Sequence, residues 1–201
     1  MMTALYVVGL LSLATAPCPG GDFHFQHHYI DRDLPADSYG QTCLVDLDKD
    51  GDLDFVTGGK DQQKTVYWFE FQSADKWVRH ALGTNHPSDV GGMAIDVDGD
   101  GWIDHVTGGV WYRNTGKPRT ETFGRIVFDK ALSAVHDLVA ADLNADGRVD
   151  IVTMSDRNNL RWYEIPRDPR QPWQRHDIGA GVHAGVAAGD IDGDGDLDVA
   201  R

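Results

Sequence analysis

The sequence predicts an all-β protein assembled from repeated four-strand units, and three observations carry that prediction. Its acid is 29 Asp against only 3 Glu (Glu70, Glu121, Glu164), accompanied by 23 Gly, a composition that favours turns and caps over helix interiors. A nine-residue pattern, D-x-[DN]-x-D-G-x-x-D, recurs four times. An aromatic pair follows the first three copies in short β-rich runs: Trp68-Phe69, Trp111-Tyr112 and Trp162-Tyr163.

With 201 residues, 41% of them apolar, the chain is long enough for a substantial core. The formal net charge of −14 argues against nucleic acid as a partner. No run of about 18 apolar residues offers a membrane span. Residues 4–16, ALYVVGLLSLATA, form a short apolar block closed by Ala14-Thr15-Ala16, the small-x-small form of a cleavage site. Residues 1–20 therefore read as a signal peptide, and residues 21–201 as an extracytoplasmic protein, secreted or at the cell surface. Two cysteines are too few for a disulfide scaffold. Cys18 would leave with the signal, and Cys43, in an apolar run, reads as a buried thiol.

The repeats read DLDKDGDLD (Asp46–Asp54), DVDGDGWID (Asp96–Asp104), DLNADGRVD (Asp142–Asp150) and DIDGDGDLD (Asp190–Asp198). Together they hold 17 of the 32 acidic residues and only two basic ones, Lys49 and Arg148. The remainder of the chain is close to neutral. Carboxylates packed this densely repel one another unless a cation sits among them. Oxygen side chains at alternate positions with a glycine at the sixth describe a calcium turn. Positions 1, 3 and 5 supply side-chain ligands: Asp46, Asp48, Asp50; Asp96, Asp98, Asp100; Asp142, Asn144, Asp146; Asp190, Asp192, Asp194. Position 7 varies (Asp52, Trp102, Arg148, Asp196), as suits a ligand supplied by a backbone carbonyl. Position 9 (Asp54, Asp104, Asp150, Asp198) closes the site. Up to four Ca2+ ions are implied, the third turn being the poorest because Asn144 is neutral and Arg148 is basic. An EF-hand is excluded, since position 12 is Thr57, Thr107, Thr153 and Arg201 instead of Glu.

Apolar residues at positions 2, 8 and 11 alternate as strands do, so each turn joins two strands, A and B. The aromatic runs VYWFEF, VWYRN and LRWYEI supply strand C. Trp77-Val78-Arg79-His80 and Trp173-Gln174-Arg175-His176 supply strand D, with a degenerate copy near Arg125–Phe128. Units begin near residues 39, 89, 135 and 183. Four short strands in about 48 residues form the sequence signature of a β-propeller blade. These units resemble FG-GAP or VCBS-type repeats, the calcium-loop blades of the integrin α-subunit head and of many bacterial secreted proteins. The Phe-Gly…Gly-Ala-Pro signature of the eukaryotic repeats does not occur, which favours the bacterial-type variant. Phe25-Gln26-His27-His28 aligns with the D strands. The chain then holds an orphan strand and about 3.5 blades, as expected of the N-terminal part of a longer propeller truncated at its C-terminus.

All A–B turns fall on one rim. Five residues just before strand A stand on the other: Tyr39, Asp89, His136, Asp137 and His183. They are candidates for a ligand site, while His28, His80 and His176 in strand D read as structural hydrogen bonders. No nucleophile elbow, His-Glu-x-x-His or phosphate loop occurs. The expected role is a non-enzymatic, calcium-binding scaffold that binds an extracellular protein or glycan. The resemblance also implies two alternatives, a propeller-type polysaccharide lyase and an accessory domain of a secreted carbohydrate-active enzyme. A spacer with no ligand is a further possibility.

Overall fold

The computed structural model describes residues 24–88 and 90–201. The expected signal peptide, Cys18 and Asp89 lie outside the described residues. Every regular element among the described residues is a β-strand. The first sheet contains β1 (Tyr39–Val45), β2 (Asp54–Gly59), β3 (Val66–Ser73) and β4 (Lys76–Gly83). The second contains β5 (Met93–Ile95), β6 (Asp104–Thr107), β7 (Val110–Arg113) and β8 (Gly124–Val127). The third contains β9 (Val135–Ala141), β10 (Asp150–Ser155), β11 (Asn159–Glu164) and β12 (Gln174–Gly179). Each is an antiparallel meander with its strands in chain order. A two-stranded sheet follows, β13 (Ala187–Gly189) with β14 (Asp198–Ala200).

Strand alternation is what stacks these sheets. Neighbouring residues of a strand point to opposite faces, so each sheet has a face toward the next sheet and one toward the previous. Val56, Val66, Trp68 and Leu82 of the first sheet share a buried cluster with Val110, Tyr112 and Phe123 of the second. Val106 and Trp111 turn the other way and pack with Leu138, Ile151 and Tyr163 of the third. Val152, Met154 and Leu160 then meet Val186 and Val199 around the fourth. Full burial of such side chains stabilises by about 1.5–3 kcal/mol each. The second aromatic pair is thus explained: Trp111 serves the interface with the third sheet and Tyr112 the interface with the first. The first strands β1, β5, β9 and β13 lie side by side in succession.

A buried polar chain crosses between the first two sheets. His86 Nε2 donates to the carbonyl of Gly59 (2.9 Å), leaving Nδ1 to accept from Gln41 Nε2 (3.1 Å). Gln41 Oε1 in turn accepts from His105 Nε2 (3.2 Å). Burial pushes the His105 imidazole down to about 3, so it is neutral. Room for Gln41 comes from glycine, because a Cβ at Gly58 would lie 2.6 Å from its amide.

Two expectations change. The strand expected at Phe25–His28 does not form; residues 24–29 have no ladder partner and Phe25 is 94% exposed. Strands exist only where a neighbour satisfies their N–H and C=O groups. This segment instead leans on the first sheet, where His28 Nδ1 pairs with Asp75 (2.8 Å) and Arg79 donates to Asp31 (2.9 Å). Cys43 is half-buried and free, and burial raises its thiol to about 11.

Candidate metal centres

The four acidic turns fold alike because each wraps its backbone N–H groups around its own side chains. At position 1, Asp46 accepts from the N–H groups of Asp50 (3.2 Å) and Gly51 (3.1 Å). Asp142 does the same in its turn, while Asp96 and Asp190 take the N–H of the fourth-position glycine, Gly99 (2.8 Å) or Gly193 (2.7 Å), in place of position 5; all three reach the N–H of the sixth-position glycine at 2.8–3.1 Å. At position 3, Oδ1 of Asp48, Asp98, Asn144 and Asp192 accepts the N–H of position 5. Position 5 repeats this toward position 7. Gly51, Gly101, Gly147 and Gly195 all have φ between 82° and 100°, a conformation cheap only for glycine. Position 4 is also left-handed, at Lys49 (φ 62°), Gly99 (φ 70°), Ala145 (φ 56°) and Gly193 (φ 81°).

This network engages Oδ1 of positions 3 and 5 and leaves Oδ2 of the aspartates at those positions outside it. In three turns an arginine reaches these outer oxygens. One nitrogen of Arg119, Nη2, sits 2.6 Å from Asp48 and 2.8 Å from Asp50, while its Nε donates to Glu70 (3.0 Å). Arg119 belongs to the second sheet's β7–β8 connection, so it crosses to the first sheet's turn. Arg113 spans Asp98 (2.5 Å) and Asp100 (2.6 Å). Arg148 pairs with Asp146 (2.5 Å). The fourth turn has no such arginine among the described residues. Ligand oxygens converge within 4.8 Å in Asp46-Asp48-Asp50, Asp96-Asp98-Asp104 and Asp190-Asp192-Asp194.

Position 9 has a second role. Asp54 accepts from Leu47 N–H (3.0 Å) and, across to β3, from Phe71 N–H (3.0 Å). Asp104 accepts from Val97 (3.1 Å), Asn114 (2.7 Å) and the Trp111 indole (2.8 Å). Asp150 and Asp198 keep the bond to position 2. Burial pushes the carboxyl of Asp54 up to about 6 and that of Asp104 up to about 7, and raises Asp150. At position 7, Trp102 lies under Lys49, whose Nζ is 4.3 Å from a ring centroid. Asp52 Oδ1 is buried without a hydrogen-bond partner. Thr57 and Thr107 at position 12 donate to the Gly40 and Gly91 carbonyls, away from the turns. The side-chain donors are all carboxylates in the first, second and fourth turns, which fits a calcium ion, although Arg119 and Arg113 pair with the first two; in the third, Asn144 removes one charge and Arg148 pairs with Asp146.

At the opposite end of the sheets, the structure brings together two of the five candidate ligand residues. His136 Nε2 lies 2.8 Å from Asp156 Oδ2, and His183 Nδ1 lies 3.2 Å from the same oxygen. The two imidazoles hold the Asp156 carboxyl below the usual carboxylate range. Sequence reasoning missed Asp156; the signal available was its place in the β10–β11 turn, on the same rim as His136 and His183. Tyr39 and Asp137 do not join this group. The Tyr39 hydroxyl accepts from Ala36 N–H (2.7 Å), and Asp137 accepts from Val186 N–H (2.9 Å). The strand-D histidines are structural. His80 bonds Glu70 (2.9 Å) and stacks on Trp68, and His176 stacks on Trp162.

These features define an all-β protein of repeated four-stranded antiparallel sheets, each with an acidic Asp-Gly turn between its first two strands. The FG-GAP-like repeat matches residues 96–153 and 142–200, together more than half of the chain. The chain belongs to the FG-GAP-like repeat family. Both matches start at the first Asp of a turn. No curated protein matches the chain. No helix among the described residues is long and apolar enough to cross a membrane.

Proposed function

We propose that this chain is a secreted calcium-binding module of β-propeller blades that holds a binding surface for a protein or glycan and performs no chemistry itself. The observation that carries this reading is the recurring turn in which backbone N–H groups take Oδ1 of positions 3 and 5, leaving the second carboxylate oxygen of both positions outside that network in the first, second and fourth copies. In three turns a guanidinium already pairs with those oxygens, so positive charge is held there now and would have to give way to an ion. Asp46, Asp48, Asp50 and Asp54, with their counterparts in the second and fourth turns, would hold Ca2+. The ion would clamp strand to strand at one rim. Calcium suits this set because it takes six to eight oxygens, whereas magnesium keeps more of its water.

Thermal unfolding of the whole chain, first in excess EGTA and then in millimolar calcium, tests this reading. A site at a hundredfold excess over its Kd adds about 2.7 kcal/mol. A clear rise in Tm with calcium but not magnesium is expected. A folded protein indifferent to calcium would sink the assignment.

One observation favours a second reading. A cavity of about 350 Å3 opens at the end opposite the acidic turns, lined by Lys60, Lys64 and Arg157, with Asp61 as the one acidic residue. Basic side chains gathered there, in a chain of net charge −14, suit an acidic glycan and support the lyase alternative. Release of an unsaturated, ultraviolet-absorbing product from uronate polysaccharides would replace the non-enzymatic reading.

A further inference from the structure

We propose that His136, Asp156 and His183 form a binding site for a divalent transition metal of the zinc class, separate in position and chemistry from the acidic turns. The three side chains come from three chain segments. His136 is the second residue of β9, Asp156 opens the β10–β11 turn, and His183 lies in the connection from β12 to β13. Their ligand atoms all lie within 4.8 Å of one another. Both imidazoles point at a single oxygen, Asp156 Oδ2, and their ring centroids are 3.9 Å apart. Ligands of a tetrahedral zinc, with bonds near 2.0–2.2 Å, stand roughly 3.3 Å apart. The observed separations of 2.8 and 3.2 Å fall short of that spacing by no more than about half an ångström, which small side-chain rotations can supply.

The backbone is built to bring His183 there. A Cβ at Gly181 would collide with the carbonyl oxygen of Ser155, the residue before Asp156, so only glycine allows this connection to lie on the β10–β11 turn. Val182 N–H and Val186 N–H, on either side of His183, are tied down to Met154 Sδ (3.4 Å) and Asp137 Oδ2 (2.9 Å). Asp156 is held from behind by its own N–H, which donates to the Ala134 carbonyl (3.3 Å).

The donor set selects the metal class. Two neutral imidazoles and one carboxylate suit zinc and its late first-row neighbours, while calcium demands oxygen. Three protein ligands with His183 exposed on one side leave a coordination position open, the form that binds an exogenous ligand. The group borders the basic cavity, since Ala134 and Arg157 line it. A metal here would add further positive charge beside that cavity, suited to an anionic ligand.

The test is isothermal titration of the whole chain with zinc in millimolar calcium, which keeps the acidic turns from competing. One zinc per chain is expected. His183→Ala, at an exposed position, and Asp156→Asn should each weaken binding at least about tenfold, while Asp192→Asn in the fourth turn should leave it unchanged. Cobalt(II) gives an independent readout: visible d–d bands are expected in the parent and absent in His183→Ala. Replacing His24, His27 and His28 by Ala should change neither signal. Absence of zinc uptake, or uptake that persists in His183→Ala and disappears with the three N-terminal histidines, would overturn the proposal.

Discussion

In the first acidic turn, Asp48 and Asp50 face Arg119, which reaches over from the second sheet, and Asp54 is fully buried with two backbone N–H partners. In the fourth turn, Asp192 and Asp194 face no arginine among the described residues, and Asp198 is half-buried with one such partner. Yet the nine-residue hydrogen-bond pattern inside the two turns is nearly the same. Turn shape is therefore a local property of the Asp-Gly pattern. Charge balance and burial come from the neighbouring sheets.

The largest separation between the two turns should come from position 9. Asp54→Ala strands the N–H groups of Leu47 and Phe71, and should cost about 2–4 kcal/mol in urea unfolding with EGTA. Asp198→Ala frees only the exposed Ile191 N–H and should cost about 1 kcal/mol or less. Equal losses would show that burial does not distinguish them.

Next comes pH. Without calcium, the folded-state carboxyls of Asp54 and Asp104 sit near 6 and 7, above the ordinary value of 3.8. Between about pH 4 and 7 the folded chain therefore binds more protons than the unfolded one, and their contribution to stability is lost as pH rises through that window. Calcium held as proposed would keep both groups ionised and remove the loss. The gap in Tm between calcium and EGTA should widen from pH 5 to pH 8. Buried neutral His105 works in the opposite sense, losing stability as pH falls below about 6.5, but equally in both buffers, so it cancels in the difference. A gap that narrows with pH would remove these carboxylates from the calcium sites.

Arg119→Ala probes the charge contrast directly. Arg119 is half-exposed, and an exposed pair contributes up to about 1 kcal/mol. Its removal should tighten calcium at the first turn by about three- to fivefold in calorimetric titration and leave the fourth turn unchanged. An unaltered first site would mean that the guanidinium and the ion do not compete.

The smallest effect is at position 4. Ala145 holds φ 56° where the second and fourth turns use Gly99 and Gly193. Ala145→Gly should stabilise the chain by about 0.5–1 kcal/mol. Lys49→Gly should gain less, because it also loses the contact with Trp102.

Much of the fold was legible in the residues. Strands β2, β3, β6, β7, β10 and β11 fall on the apolar alternation after each turn and on the three aromatic runs. Strands β4 and β12 fall on the Trp-x-Arg-His segments, and β8 on the degenerate copy. The N-terminal Phe25–His28 was misread because its resemblance to those segments says nothing about a ladder partner. Left-handed Lys49 and Ala145 were hidden by their side chains, although Gly99 and Gly193 marked the position.

The sequence by itself determined what nine neighbouring residues can settle among themselves: the four turns, their inward Oδ1 bonds, and the alternation that aims Trp111 and Tyr112 at opposite faces. Only the tertiary structure decided that Arg119 meets the first turn, that Gln41 bridges His86 and His105, and that Asp156 joins His136 and His183. These partners are separated by 20 to 71 positions in the chain. Such distances in sequence carry no periodic signal; the groups meet only once strand alternation has stacked the sheets and brought their turns to a common end.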